Sequence, residues 1–350
     1  MAKNSTRFYC KNCGHEELRW LGQCPGCREW NTFDEVKVPK SGGTKGSRGF
    51  QSSGRPVGFG HRSAALGGRA RLTPLAKVAS AEENRIGVEP AEVAMVLGGG
   101  LVEGSVVLLG GEPGVGKSTL LTGLALWWVR QGLRVLYVSG EESPAQVRMR
   151  AERLGFKPDS EDGFSILPEV HLESLMETLQ EEIGTDGPPC VVIADSVQTL
   201  HSESIDSFPG SPTQIRYCGG VLADFARKSR CPVFLVGHVT KSGDLAGPKL
   251  LEHMVDTVLY FEGSGGGAIR MVRAVKNRFG TTGELAVMEM RADGLVPVDQ
   301  AGVLFLSGRG GDEPGSAVCA VMNGSRTFLV EVQALVSTSR YGTPQRVVQG

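Results

Sequence analysis

The segment Gly111–Ser118, GEPGVGKS, constrains the fold of this 350-residue chain more than any other stretch. It fits the pattern G-x-x-x-x-G-K-[ST], follows the apolar run SVVLLG and precedes a helical pattern that begins at Lys117. Glycines there let backbone N–H groups converge on phosphate oxygens at a helix N-terminus, where the helix dipole favours negative charge. A glycine turn that matches by chance is the alternative, and it explains neither flanking element. The segment therefore predicts a nucleotide-phosphate site.

The chemistry of such a site assigns a role to two side chains of the segment. Lys117 is expected to reach the β- and γ-phosphates of ATP, and the Ser118 hydroxyl is expected to bind Mg²⁺. The residues predicted to bind the nucleotide are Gly111, Glu112, Pro113, Gly114, Val115, Gly116, Lys117, Ser118 and Thr119.

A Mg²⁺-nucleotide site also needs a carboxylate at the end of a neighbouring strand. Asp195 closes the apolar run CVVIAD and is the predicted Mg²⁺ ligand, together with Ser118. The alternative is that Asp195 only caps a helix, because Asp is common at that position.

Hydrolysis needs a group that orients or deprotonates water. Glu141 and Glu142 follow the run RVLYVSG, whose C-terminal end should face the nucleotide. Glu141 is the predicted catalytic carboxylate, and one of the two glutamates is expected to be only a first-turn carboxylate of the next helix. His238, after the run PVFLV, is placed either to sense the γ-phosphate or merely to pack.

Apolar runs alternate with amphipathic stretches across the middle of the chain. Strands are predicted at residues 105–110, 134–138, 190–194 and 232–236, and helices at residues 117–130, 144–154 and 211–229. Continuous apolar strands that alternate with helices indicate an α/β fold with a mostly parallel sheet. The runs at 257–261, 269–275 and 285–290 lack intervening helices, so the sheet is expected to finish with antiparallel edge strands.

The composition is that of an ordinary soluble protein rather than a globally basic nucleic-acid binder, with a net charge of −1 and 21% charged residues. No apolar run approaches the roughly 20 residues of a membrane span, and the start, MAKNSTRFYC, lacks the apolar region of a secretory signal. We therefore expect a cytoplasmic protein with no membrane partner. In that compartment thiols stay reduced and clustered cysteines are metal ligands.

Four of the eight cysteines form two C-x-x-C steps near the start of the chain. Paired steps of this kind deliver four thiolates to one tetrahedral Zn²⁺. The predicted zinc ligands of this small ribbon are Cys10, Cys13, Cys24 and Cys27, and His15 could replace one of them with poorer spacing. The other four, expected to be buried core thiols, are Cys190, Cys218, Cys231 and Cys319.

Composition divides the chain into residues 1–36 with the zinc site, 37–81, 82–295 with the α/β pattern, and a Gly-rich remainder, 296–350. Residues 37–81 contain no Asp or Glu but nine Lys and Arg, with many Gly and Ser. This favours a flexible cationic linker, which either binds a phosphate backbone or serves only as a soluble connection.

The motifs together resemble the bacterial RadA (Sms) family of DNA-repair ATPases, which are related to RecA. The resemblance rests on CKNCG…CPGC, GGEPGVGKSTLL, YVSGEES, ADSVQTL, LVGHVTKSGDLAGPKLLEHMVDTVLYFEG and VKNRFG. The segment GVLFLSGRGG…GSRTFLVEVQALVS resembles the beginning of that family's Lon-protease-like domain. Only the linker lies outside the resemblance.

The resemblance implies a RecA-like P-loop core, an N-terminal zinc ribbon and a partial Lon-like α+β tail cut short near Gly350. It also implies a homo-oligomer, a hexameric ring, and cooperation with a RecA-type recombinase. The implied DNA partners are single-stranded DNA and branched recombination intermediates, on which ATP hydrolysis drives translocation and branch migration. Helicase activity in homologous recombination and DNA repair would follow.

Lys276 and Arg278 of VKNRFG are, by resemblance, catalytic cations that complete the ATP site of a neighbouring subunit. Two other interpretations stay open: Lys276 and Arg278 hold DNA phosphates while Phe279 stacks on a base, or the segment is a solvated turn. The whole-chain alternatives are a nucleotide-switched assembly ATPase that ignores DNA, and an ATP-regulated protein-processing module.

Overall fold

The computed structural model describes residues 5–10, 16–25, 28–38, 84–158, 161–183, 190–238, 248–263, 267–298, 306, 314–338 and 346–348. These residues form two compact units that divide between Asn84 and Arg85. Most of the predicted linker, from residue 39 onward, lies outside the described residues. None of the described helices is long and apolar enough to span a membrane.

The N-terminal unit is a three-stranded antiparallel sheet. Its strands are β1 (Ser5–Cys10), β2 (Glu16–Glu17) and β3 (Phe33–Val38), in the order β2-β1-β3. Cys10 ends β1, and Cys24 begins a tight turn in which its N–H donates to the Glu29 carbonyl over 2.9 Å. Both thiols are completely buried. Their predicted partners, Cys13 and Cys27, lie outside the described residues.

The larger unit is built on one nine-stranded sheet. Two short strands, β4 (Arg85–Ile86) and β5 (Leu101–Val102), form a separate pair before it. The sheet strands are β6 (Val106–Gly111), β7 (Arg134–Ser139), β8 (Phe164–Leu167), β9 (Cys190–Asp195), β10 (Val233–His238), β11 (Thr257–Gly263), β12 (Ile269–Asn277), β13 (Leu285–Arg291) and β14 (Gly294–Pro297). Their order is β14-β13-β12-β11-β6-β10-β9-β7-β8.

Helices cover this sheet on both faces. They are α1 (Ala91–Val96), α2 (Lys117–Arg130), α3 (Pro144–Arg153), α4 (Leu172–Glu182), α5 (Pro212–Ser229) and α6 (Pro248–Leu251). Successive residues of β6 point to opposite faces: Val107 and Leu109 pack with α2 in one core, and Val106 and Leu108 pack with α4 and α5 in another. Two buried faces explain why the strand is apolar throughout, and the predicted α/β class is confirmed.

The strand directions agree with the predicted sheet except at β11. Strands β8, β7, β9, β10, β6 and β11 are mutually parallel, and antiparallel pairing begins at β12 and continues through β14. The predicted antiparallel finish is therefore confirmed, although β11 itself runs parallel to β6. Strand β8 and helix α4 were not predicted from the sequence. Strand β8 has only four residues, and none of them is fully buried.

A C-terminal hairpin packs against β13. It consists of β15 (Ser316–Asn323) and β16 (Arg326–Gln333), and Phe328 is buried in a small cluster with Leu285 and Val287. Glu284 accepts hydrogen bonds from the N–H of Ser325 over 3.1 Å and from its hydroxyl over 2.8 Å. Apolar side chains on the hairpin that remain exposed are Val318, Val321, Met322 and Val332.

The isolated cysteines follow the prediction with one exception. Cys190, Cys218 and Cys231 are buried, whereas Cys319 is exposed. The prediction was wrong for Cys319 because, among the described strands, β15 pairs with β16 alone and most of its residues face solvent.

Candidate nucleotide-binding and catalytic site

The Gly111–Ser118 loop joins the buried end of β6 to the first turn of α2. Gly114 has φ of 76° and Gly116, the helix N-cap, has φ of 114°, backbone conformations that residues with a Cβ rarely adopt. A Cβ at Gly116 would also lie only 2.4 Å from the Met290 Cε atom. The backbone conformation therefore requires glycine at this position, and the close contact is with the flexible end of the Met290 side chain.

Lys117 is the first residue of α2, and its buried ammonium group reaches back to the start of the loop. Its Nζ donates to the Gly111 carbonyl over 2.8 Å and to the Glu112 carbonyl over 2.9 Å, and lies 3.3 Å from His238 Nδ1. Burial lowers the pKa of Lys117, and the negative charges of Asp195 and Glu141 oppose that shift. The ammonium group is thus placed among the groups that a bound phosphate would meet.

Asp195 and Ser118 meet at one point in the site, beside the Tyr137 hydroxyl. Tyr137 donates to Asp195 Oδ2 over 2.5 Å, and Ser118 lines the same cavity as Asp195, near this phenol. Burial, and then the Asp195 charge, raise the pKa of Tyr137 well above its ordinary value, so the phenol remains a donor. Because the helix that follows is capped by Ser211, Asp195 is not a helix cap. A hydroxyl and a carboxylate at one point suit Mg²⁺, which prefers oxygen ligands.

Glu141 is held by two donors at the C-terminal ends of neighbouring strands. The Ser196 hydroxyl donates to its Oε1 over 2.5 Å, and His238 Nε2 lies 3.1 Å from the same oxygen. These contacts, led by the His238 hydrogen bond, lower the pKa of Glu141 to about 2. So acidic a group is a weak base, which favours orienting a water over removing a proton outright.

Glu142 and Arg150 form an ion pair that the sequence analysis missed. Helix α3 begins with Ser143 as N-cap in a capping box with Gln146, so neither Glu141 nor Glu142 lies in its first turn. Arg150 donates from its guanidinium to Glu142 Oε1. The capping box is the sequence signal that could have predicted this pair. It fixes the start of α3 at Ser143, so Arg150 lies two turns later on the same face of the helix as the cap.

These groups line one cavity of about 280 Å³. The loop forms one side, and the ends of β7, β9 and β10 form the other with Glu141, Asp195 and His238. Arg150 and Glu142 complete the wall. The residues predicted from three separate motifs therefore converge, as the C-terminal ends of parallel strands should.

Lys276 and Arg278 do not reach this cavity within one chain. Asn277 pairs with Thr257 on β11, and Thr257 pairs with Val107 on β6. Val107 comes four residues before Gly111 along β6. At about 3.3 Å per residue the separation along the sheet is about 13 Å. The two cations lie at the opposite end of the central strands from the loop.

Lys276 and Arg278 have different local contacts. Lys276 Nζ donates to the carbonyls of Glu252 over 2.6 Å and Val255 over 2.8 Å, and burial, followed by the nearby Arg278 charge, lowers its pKa. Arg278 pairs with the buried Asp256 over 3.1 Å, yet its side chain remains 55% exposed. Arg278 is therefore the more accessible of the two cations.

The turn that follows β12 and contains Arg278 is tightly held. Phe279 N–H donates to Asn277 Oδ1 over 2.9 Å, and Arg85 donates to the carbonyls of Gly98 over 2.7 Å and Phe279 over 2.9 Å. A Cβ at Gly280 would lie 2.6 Å from the Gly98 Cα atom. The backbone here is in direct contact with another turn, which a freely solvated loop would not be.

Two regions of the chain match known protein families. Residues 72–244 match the family described as the AAA domain, and residues 8–35 match the rubredoxin metal binding domain. The second match identifies the N-terminal unit as a zinc ribbon. The two regions correspond to the cavity-bearing core and to the N-terminal unit that contains Cys10 and Cys24.

Whole-chain comparison finds similar proteins in several bacteria. The chain is 42% identical over 350 residues to the DNA repair protein RadA of Bacillus subtilis (strain 168), covering all of this chain and 72% of that protein. It is 44% identical to the DNA repair protein RadA of Pseudomonas aeruginosa and 41% identical to that of Aquifex aeolicus, with the same coverage.

Proposed function

Because the chain belongs to the RadA family of DNA-repair proteins, we propose that it is a Mg²⁺-dependent ATPase of homologous recombination. It translocates on DNA and drives branch migration of recombination intermediates, which makes it a helicase. The single observation that carries the ATPase is one cavity in which Lys117, Asp195 and Glu141 meet around the loop. Its ligands are single-stranded and branched DNA, and its location is the cytoplasm.

Each residue of the cavity has a part in hydrolysis. Backbone N–H groups of the Gly111–Ser118 loop bind the β- and γ-phosphates, and Lys117 neutralises their charge. Ser118 and Asp195 would hold Mg²⁺, which would neutralise phosphate charge when bound. Glu141 orients the attacking water, and His238, which touches both Glu141 and Lys117, senses the γ-phosphate.

Arg278 completes the ATP site of the next subunit in a homo-oligomeric ring, which we propose is hexameric. The support is its exposed side chain and its position at the far end of the sheet from its own cavity. Lys276 shares this role after giving up its two carbonyl partners. Stabilising charge on the transferred phosphoryl group from a neighbour makes hydrolysis depend on assembly.

The remaining segments serve DNA and partner contacts. Cys10, Cys13, Cys24 and Cys27 hold one Zn²⁺ in the ribbon. The acid-free residues 37–81 contact the DNA backbone, and a RecA-type recombinase is the protein partner. Residues 296–350 form the beginning of a Lon-like domain, to which the hairpin that buries Phe328 belongs.

Steady-state ATP hydrolysis with and without single-stranded DNA tests the proposal, with Lys117→Ala as the blank. The expected result is a rate that rises with DNA and disappears in the blank. Arg278→Ala should lose the DNA-dependent increase and branch migration while each subunit still binds nucleotide. A Lys117-dependent rate that ignores DNA would instead support a nucleotide-switched assembly ATPase, and normal branch migration by Arg278→Ala would refute the role in trans.

Zinc content gives an independent test of the ribbon. The protein is expected to contain one zinc per chain by elemental analysis, and Cys24→Ser should lose it. Cys319→Ser is the matched control, because that thiol is exposed on the β15–β16 hairpin and belongs to neither C-x-x-C step. Unchanged zinc in Cys24→Ser would contradict the assigned ligand set.

A further inference from the structure

Strands β11 and β13 lie against the two ends of the phosphate loop. A Cβ at Gly111 would lie 2.5 Å from the Phe261 carbonyl on β11, and a Cβ at Gly116 would lie 2.4 Å from Met290 Cε on β13. Both ends of the loop are therefore in close contact with strands that sequence analysis treated only as the edge of the sheet.

Arg270, on the strand between these two, contacts the loop backbone directly. Its Nε donates to the Val115 carbonyl over 2.9 Å. Its Nη1 donates to the carbonyls of Gly267 over 2.6 Å and Ile269 over 2.9 Å, so the guanidinium is fixed from the hairpin side as well. Val115 itself is buried, with its side chain in the core beneath α2.

The planar peptide group explains why this contact matters. The carbonyl of Val115 and the N–H of Gly116 belong to one trans peptide and point in opposite directions. When Arg270 holds the Val115 carbonyl towards β12, the Gly116 N–H points away from β12. Gly116 lines the nucleotide cavity. A phosphate-binding loop works only if such N–H groups face the ligand.

We propose that Arg270 is a positioning residue for phosphate binding: through the Val115 carbonyl, it orients the loop so that the Gly116 N–H faces the nucleotide phosphates. The inference rests on the proposed ATPase function, because it assumes that the cavity binds ATP. A hydrogen bond from a charged donor is worth enough to change affinity about tenfold or somewhat more.

The chain offers a matched control on the same strand. Arg273 pairs with Glu262 over 3.8 Å at the surface, and neither side chain contacts the loop in the described structure. Arg273→Ala therefore removes the same charge from β12 without releasing the Val115 carbonyl. Arg270→Lys keeps the charge but replaces the planar fork of donors with a single ammonium group.

The experiment measures equilibrium binding of a fluorescent ATP analogue, its displacement by inorganic tripolyphosphate, and thermal unfolding of each variant. Arg270→Ala is expected to weaken both ligands about tenfold, Arg270→Lys a few-fold, and Arg273→Ala less than twofold. Hydrolysis should show the loss in KM with kcat nearly unchanged, because ground state and transition state share the contact. Such a split separates positioning from general loss of folding.

Affinity of Arg270→Ala within twofold of Arg273→Ala would overturn the inference. If Arg270→Ala does not fold, Arg270→Lys decides: wild-type affinity in a folded Lys variant would overturn it equally. Failure of the proposed function looks different, because then the wild-type chain would not bind the analogue, or Lys117→Ala would bind it as well as wild type.

Discussion

Asp256→Ala should destabilise the core far more than Arg278→Ala, although the two residues form one ion pair. Asp256 is buried, and its two oxygens have different partners: Oδ2 accepts the Val106 N–H over 3.0 Å at the start of β6, and Oδ1 accepts from Arg278 over 3.1 Å. The first bond is buried, whereas the second involves a guanidinium that is 55% exposed.

The magnitudes follow from these environments. Losing a buried hydrogen bond to a carboxylate, and leaving the Val106 N–H without a partner, costs about 2–3 kcal/mol. The ion pair contributes at most about 1 kcal/mol, since solvent screens the exposed guanidinium of Arg278 although Asp256 is buried. Asp256→Ala should therefore lower the free energy of unfolding by about 2–4 kcal/mol, Arg278→Ala by less than about 1 kcal/mol. Asp256→Asn should fall between them, because its amide oxygen can still accept the Val106 N–H.

Urea unfolding followed by circular dichroism measures all three variants and the Asp256→Ala/Arg278→Ala double variant. The coupling energy of the cycle should be no more than about 1 kcal/mol. Arg278→Ala as unstable as Asp256→Ala would refute the reasoning, because it would mean that the ion pair and not the backbone contact holds this corner. The small expected effect also means that lost DNA-dependent activity in Arg278→Ala could not be attributed to unfolding.

Three further predictions concern the cavity. Tyr137→Phe removes the donor to Asp195 and should raise the Mg²⁺ concentration for half-maximal ATP-analogue binding roughly tenfold, measured by Mg²⁺ titration. Gly140→Ala places a Cβ 1.9 Å from Thr199 Oγ1, so urea unfolding should show a loss of about 1–3 kcal/mol that Thr199→Ala partly restores. The pKa of Glu141 is lowered from 4.5 to about 2, so its ionised carboxylate stabilises the fold above pH 4.5 and this contribution is lost as pH falls towards 2. Over that range the melting temperature should fall less in Glu141→Gln than in the wild type.

Local patterns were sufficient to predict the phosphate loop and the strands beside it. Helix α2 runs from Lys117 to Arg130 as predicted, and β6, β7, β9 and β10 lie within one or two residues of their predicted ranges. Each is a continuous apolar run or a helix next to glycines, and its surroundings reinforce that preference. Convergence of Asp195, Glu141 and His238 also followed from the rule for parallel strand ends.

Contacts between distant segments could not be predicted in the same way. Arg270 binds a carbonyl 155 residues earlier, and nothing in the local sequence around either residue indicates it. The parallel pairing of β11 with β6 was equally hidden, because the next strands are antiparallel and the apolar run alone carries no direction. Arg150 had a local signal in the capping box, but its glutamate partner precedes the helix.

The contacts that hold the turn after β12 reduce its conformational entropy before any ligand binds. Asn277, Arg85 and the contact between Gly98 and Gly280 fix the backbone of residues 277–280 as the chain folds. Ordering four backbone residues costs roughly 4–8 kcal/mol, and here that loss belongs to folding. Whatever Arg278 binds, the association then has to order only one side chain, so a small contact area can support a useful affinity.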